Sequence, residues 1–235
     1  MDASVWIERV ERGVGGCLER AGWLAPPVSA IEVASRLGIC VIRDSRLVTR
    51  GRCTRLEDRP VIALAAEDRP ERREWTVAHE LGEIAFPELA IDHLGWVDDL
   101  ADQHQLREQV ANLFATRLLL PTPWFREAWL ATDGDLFELK QRFPTASHEL
   151  IAFRMLDAER HMVISIYDQG RLTKRRGNTG ALRPPVHPLE ARLFQRLHDS
   201  RRCDHIAEDG IVVDGWPVDE PGWQRDVIRL MASDE

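Results

Sequence analysis

The sequence predicts an α+β chain: a small antiparallel sheet and two long helices, then a helical segment and a small C-terminal α/β appendage. Three observations carry this. Short apolar or β-branched runs at 39–43, 51–56 and 60–65 are separated by turn-forming and charged residues, as in closely connected strands. Two longer segments, 71–85 and 105–120, have helical spacing, and each is closed by a proline, Pro87 and Pro121. Beyond residue 160 the pattern changes again, to a strand, a turn and further short elements.

Taken in order, residues 4–24 alternate charged and apolar positions at helical spacing, with Val5, Ile7, Val10, Val14 and Leu18 as the expected inward stripe. Pro26-Pro27 breaks that helix. Ser29 then caps a short one from Ala30 to Leu37, which Gly38 stops. The three strand runs follow. Pro70 and Glu71 open the first long helix, since proline fits a first turn and an acidic residue suits the positive end of the helix dipole. Segment 88–104 reads as a polar, acidic connection. The second long helix is apolar over much of its girth (Val110, Leu113, Phe114, Leu118), so it is expected to be largely buried.

Shorter helices come next, Trp124–Ala131, Asp135–Phe143 and one capped by Ser147, in a helix-turn-helix-like arrangement. A strand at Met162–Tyr167 turns at Asp168-Gln169-Gly170 and pairs back through Arg171–Lys174. Leu189–His198 reads as a helix, Gly210–Val213 as a strand and Trp223–Met231 as a closing helix. The expected organisation is an N-terminal helix (1–24), a core carrying the chemistry (25–121), a helical segment (122–160) and a strand/helix extension (161–235).

Composition narrows the function. A hydrophobic share of 44% with 30% charged residues supports a genuine core. The net charge of −8 argues against direct nucleic-acid binding through bulk electrostatics, although Arg171, Lys174, Arg175, Arg176 and Arg183 form a local basic stretch. The first residues carry charges where a signal peptide needs an apolar run, and no stretch approaches the ~20 apolar residues of a membrane span. A cytoplasmic protein is expected. Its four cysteines, Cys17, Cys40, Cys53 and Cys203, lack the close spacing of a zinc site and are expected as thiols.

The informative string is Trp75-Thr76-Val77-Ala78-His79-Glu80-Leu81-Gly82-Glu83. On a helix, His79 and Glu83 share a face, and Glu80 sits at its edge. Two ligands beside a carboxylate base are the parts that metal-assisted hydrolysis needs. The familiar form of this pattern is H-E-x-x-H, and here Glu83 stands at the second histidine. A carboxylate still binds a metal, with more charge and hardness. His148-Glu149-Leu150-Ile151-Ala152 repeats the opening but places alanine at the ligand position, so it reads as structural.

A third ligand must come from elsewhere. Glu108, in the string Glu108-Gln109-Val110-Ala111-Asn112-Leu113-Phe114-Ala115, is otherwise a costly charge near a core unless it is exposed at the helix start. Asn112, one turn on, can orient His79 through the ring nitrogen that does not bind metal. His93 and His104 are alternative ligands from the connection between the helices. His148, Arg154 and Tyr167 are further candidate neighbours, although capping or packing explains each of them as well.

At these strings the sequence resembles the ImmA/IrrE family of metallopeptidases. The family pattern is an aromatic-T-x-A-H-E-L-G-H string, then E-x-x-A-N-x-F-A and a short L-L-x-P ending. This chain has W-T-V-A-H-E-L-G-E, E-Q-V-A-N-L-F-A and Leu118-Leu119-Leu120-Pro121. The resemblance spans most of residues 25–180. It implies a gluzincin-like fold, the small sheet packed on the two helices that carry these strings, with 25–121 as the metallopeptidase core. It also implies one divalent ion, most typically Zn2+, held at His79, Glu83 and Glu108. The implied role is cleavage of a helix-turn-helix transcriptional repressor in a regulatory or stress response, with Glu80 as general base. Glu83 departs from the pattern and leaves two other readings open: a catalytically inactive, partner-binding regulator on the same fold, or a DNA-binding regulator.

Overall fold

The computed structural model describes residues 3–56, 59–67, 69–89, 100–178, 185–220 and 222–233. The chain divides into two compact units, Met1–Ala131 with Gln141–Ser147, and Thr132–Lys140 with His148–Glu235. The fold class is α+β, as expected.

In the first unit, α1 (Ala3–Arg20) buries Trp6, Val10, Val14, Cys17 and Leu18. The expected stripe through Val5 and Ile7 is corrected, because both are about 40% exposed, at 39% and 40%. The apolar line starts instead at Trp6 and advances by four and then three or four residues, which keeps it on one face at 3.6 residues per turn. The short α2 (Ala30–Arg36) is capped by Ser29, whose side chain accepts from the Glu32 N–H at 3.2 Å.

The strands β1 (Cys40–Arg43), β2 (Gly51–Leu56) and β3 (Arg59–Leu64) form one sheet in the order β1-β3-β2. It is mixed rather than wholly antiparallel: β2 pairs antiparallel with β3, and β1 pairs parallel with it. The chain reverses twice between β1 and β3, so the central strand runs in the direction of β1. Residues 61–64 of β3 are buried, and β2 is left at an edge.

Two 20-residue helices pack on one another, α3 (Pro70–Leu89) and α4 (Leu100–Leu119). Both are longer than expected. Pro87 lies inside α3 instead of ending it, because a proline near a C-terminus removes one hydrogen bond while buried Phe86 and Leu89 hold the last turn. The second helix begins at Leu100, within the segment expected as a connection. Its buried line is Val110, Ala111, Phe114, Ala115, Leu118 and Leu119. Arg117 is also buried and pairs with Glu11 of α1 at 2.9 Å. The helix α5 (Thr122–Thr132) follows.

The second unit holds α6 (Leu136–Arg142) in large part, α7 (His148–Arg154), and a five-stranded antiparallel sheet. Its strands are β4 (Met162–Asp168), β5 (Arg171–Gly177), β6 (Asp204–Glu208), β7 (Ile211–Glu220) and β8 (Trp223–Ala232), ordered β5-β4-β8-β7-β6. On one face α8 (Pro188–Ser200) packs Leu189, Leu193 and Leu197 against Tyr167, Ile206, Val213 and Ile228. The closing helix expected at Trp223–Met231 is a strand. Trp223, Val227 and Leu230 happen to fit helical spacing, but β8 lies between β4 and β7 and is buried on both faces from Asp226 to Arg229, which removes the alternation that marks a strand.

Candidate metal centre

The crossing of α3 and α4 builds the site. At Gly82 an added Cβ would lie 2.9 Å from the Ala111 Cα, 3.0 Å from its carbonyl oxygen and 3.0 Å from the Phe114 Cβ, so the helices touch backbone to backbone there. His79 and Glu83 flank Gly82 on α3, and Glu108 and Asn112 flank Ala111 on α4. A close crossing with polar residues within one turn of the contact brings four side chains from distant sequence together.

One ligand atom from each of His79, Glu83 and Glu108 lies within 4.8 Å of the other two. His79 Nε2 is 3.7 Å from Glu108 Oε2. Tetrahedral bonds of ~2.1 Å would set two ligand atoms about 3.4 Å apart, so little movement is needed. His79 Nδ1 meets Asn112 Oδ1 at 3.1 Å. With the proton on Nδ1, imidazole donates to the amide oxygen and its Nε2 lone pair points to the shared space.

Glu83 carries a separate mark. Its Oε1 is buried and has no hydrogen-bond partner, while its Oε2 is ion-paired with Arg107. A buried carboxylate oxygen without a donor is costly, and a cation at that point would satisfy it. The residues present therefore fit a divalent ion with mixed nitrogen and oxygen donors.

Glu80 sits beside this group, half-buried, and the Cys53 backbone N–H of β2 hydrogen-bonds its carboxylate. Burial pushes its pKa above the usual carboxylate value, against the lowering effects of His79 and the Cys53 N–H; Glu83 and Glu108 raise it further. Gly51 permits this approach. A Cβ there would lie 2.4 Å from Thr76 Cγ2 and 3.1 Å from Glu80 Oε1, so only glycine lets β2 run this close to α3. The Cys53 thiol, nearby, is pushed up by burial and then by the Glu80 charge, so it stays protonated. A cleft of about 640 Å³ opens here, bounded by the turn at 46–49, by β2 and by the site residues.

The sequence-predicted residues divide sharply. His79, Glu80, Glu83, Glu108 and Asn112 are brought together. His93 lies outside the described residues, and His104, exposed one turn before Glu108, is not in the group of three. His148, Arg154 and Tyr167 belong to the second unit, where each packs or pairs locally. His148 meets the edge of Phe137, and buried Arg154 pairs with Asp157. Tyr167 stacks on Phe194 and donates to Glu190 at 3.3 Å; burial and then the Glu190 charge push its pKa far up. Within the basic stretch, Lys174 pairs with Glu149, Arg175 with Glu190, and Arg176 lies over the Phe153 ring. Two residues of the cleft were not anticipated. Arg107 precedes a ligand candidate but has no motif of its own, and Gly51 looks like an ordinary strand-end glycine.

The Peptidase_M78 family model, described as the IrrE N-terminal-like domain, matches residues 34–156, more than half of the 235 residues. No curated protein matches the sequence. Among solved structures, a Mycobacterium tuberculosis transcriptional regulator is similar with a TM-score of 0.69 at 20% identity, over 96% of this chain and 76% of that one. At that identity the likeness shows the fold alone.

Proposed function

This chain belongs to the Peptidase_M78 family, the IrrE N-terminal-like domain, and from that premise we propose that it is a metal-dependent endopeptidase. The observation that carries the reading is the convergence of His79, Glu83 and Glu108, with the unpartnered Glu83 oxygen, beside the half-buried Glu80. In this reading those three side chains hold the ion, most fittingly Zn2+. A bound divalent ion would acidify a coordinated water and polarise a scissile carbonyl.

The chain's own residues then divide the work. Glu80 takes a proton from the attacking water and passes it to the leaving amine; burial raises its proton affinity toward the range such a shuttle needs. Asn112 fixes the His79 ring with Nε2 facing the site. The strand β2 borders the cleft and lies at a sheet edge, so an extended polypeptide can pair with it, which favours a protein substrate over a small molecule. A helix-turn-helix repressor is the proposed substrate, being the target class that the family resemblance implies.

The test is incubation with a helix-turn-helix repressor, beginning with any that is encoded beside this chain. With Zn2+, wild type should cut it, a chelator should stop the cut, and Glu80→Gln should retain Zn2+ while losing about 10²–10⁴-fold in rate. Cleavage by Glu80→Gln at the wild-type rate would reject Glu80 as the base. Glu83 itself favours one other reading, a regulator that binds its partner without cutting it. In that case wild type and Glu80→Gln would both retain the repressor intact in the presence of Zn2+.

A further inference from the structure

Histidine at a metal site is oriented by what its second nitrogen touches, and Asn112 does this for His79. A carboxylate raises the same problem more acutely. It turns about its last bond, and either oxygen can face the ion. Glu83 is not free in this respect. Arg107 holds Oε2, and Oε1 is left buried and unpartnered. Arg107 is itself constrained, since it lies on α4 next to Glu108 and its guanidinium sits 6.0 Å from the centre of the Phe86 ring, one turn past Glu83 on α3.

Charge points the same way. Glu80, Glu83 and Glu108 place three carboxylates around one space, one more than a site with two histidines would have. A divalent ion leaves one negative charge over, and of the arginines lining the cleft (Arg46, Arg52 and Arg107) Arg107 is the one ion-paired with a carboxylate of the group. Its own repulsion of a bound ion is weakened by solvent, because the Arg107 side chain is 49% exposed, whereas that of Glu83 is only 14% exposed.

We propose that Arg107 is the positioning residue for Glu83: it holds one carboxylate oxygen so that the other faces the metal, and thereby allows glutamate to stand where the family pattern has histidine. This rests on the metallopeptidase reading above. The role belongs to the Glu83–Arg107 pair and vanishes when position 83 is an imidazole.

The experiment is a Zn2+ titration against a competing chromophoric chelator for wild type, Arg107→Met, Glu83→His and the double variant. Methionine suits an exposed helix position, and circular dichroism confirms that each protein is folded. Arg107→Met should bind Zn2+ about 10–100-fold more weakly than wild type. In the Glu83→His background the same substitution should leave affinity unchanged or raise it. Equal or tighter binding by Arg107→Met in the wild-type background overturns the proposal, as does an equal loss in both backgrounds. Wild type that binds no Zn2+ at all removes the metallopeptidase reading itself, which separates the two failures.

Discussion

Two carboxylates show how donors decide what a buried acid can do. Glu80 is short of them. It has the Cys53 N–H and two acidic neighbours, and burial leaves it easier to protonate than an exposed glutamate. Asp168 has a surplus. Burial raises its pKa, but hydrogen bonds from Arg225 Nε at 2.7 Å, Thr173 Oγ1 at 2.6 Å and Trp223 Nε1 at 3.2 Å, with the Arg225 charge, hold it below its ordinary 3.8. The first is suited to moving a proton and the second to holding β4, β5 and β8 together. A depressed pKa means that Asp168 stabilises the fold above 3.8 and that this contribution fades as pH falls through the lower folded value. Asp168→Asn should therefore cost about 1–3 kcal/mol at neutral pH. Urea midpoints should show that deficit shrinking as the pH drops below 3.8, and a deficit independent of pH would contradict the ionic account. At this scale the sequence shows ligand types and their spacing, which is why His79, Glu83 and Glu108 were legible. It does not show partners. Arg107 was invisible because its meaning depends on a carboxylate 24 residues away on another helix.

Elements were legible where one periodicity dominated. The nine residues from Trp75 to Glu83 repeat at three and four, so the helix and its polar face could be read directly. Where a segment is buried on both sides the signal fails, and β8 reads as a helix for that reason. The mixed sheet is not legible, because strand direction depends on the path between strands and not on their composition. The crossing of α3 and α4 also exceeds what a pattern can give, yet it makes a sharp prediction. Alanine is ordinarily about 0.8–1 kcal/mol better than glycine inside a helix. At Gly82 the new Cβ would meet backbone atoms of Ala111 at 2.9 and 3.0 Å, and backbone cannot turn aside as a side chain does. Gly82→Ala should lose about 1–3 kcal/mol and also weaken Zn2+ retention, because forcing the helices apart separates His79 and Glu83 from Glu108. Gly15 on α1 supplies the control, having nothing within 4 Å of an added Cβ, and Gly15→Ala should be neutral or stabilising. Thermal melting and dialysis against a chelator measure both quantities. A Gly82→Ala protein as stable as wild type would mean that the crossing is looser than these distances state.

For the whole chain, charge is what decides between acting on DNA and acting on a protein that binds it. The net charge is −8, and phosphate binding draws its strength from cations that release counterions. Three members of the basic stretch that could have opposed this are engaged elsewhere: Lys174 and Arg175 are in ion pairs, and Arg176 lies against an aromatic ring, while Arg183 lies outside the described residues. Pairing of this kind was not legible, since Glu149 and Glu190 come from helices on either side of β5 in sequence. Cations already matched by carboxylates have few counterions to release, and an approaching phosphate would have to displace Glu149 and Glu190. Electrophoretic mobility of a labelled DNA duplex should therefore be unchanged by micromolar amounts of this chain at physiological salt, even though ordinary non-specific DNA binders have dissociation constants of roughly 10⁻⁴–10⁻⁶ M there. Lowering the salt should produce little change, because the slope of affinity against salt counts phosphates neutralised. A steep salt-dependent shift would show that free cations dominate some face of the molecule, and the chain would then act on DNA directly. Without it, the proposed action on a protein remains favoured over direct action on DNA.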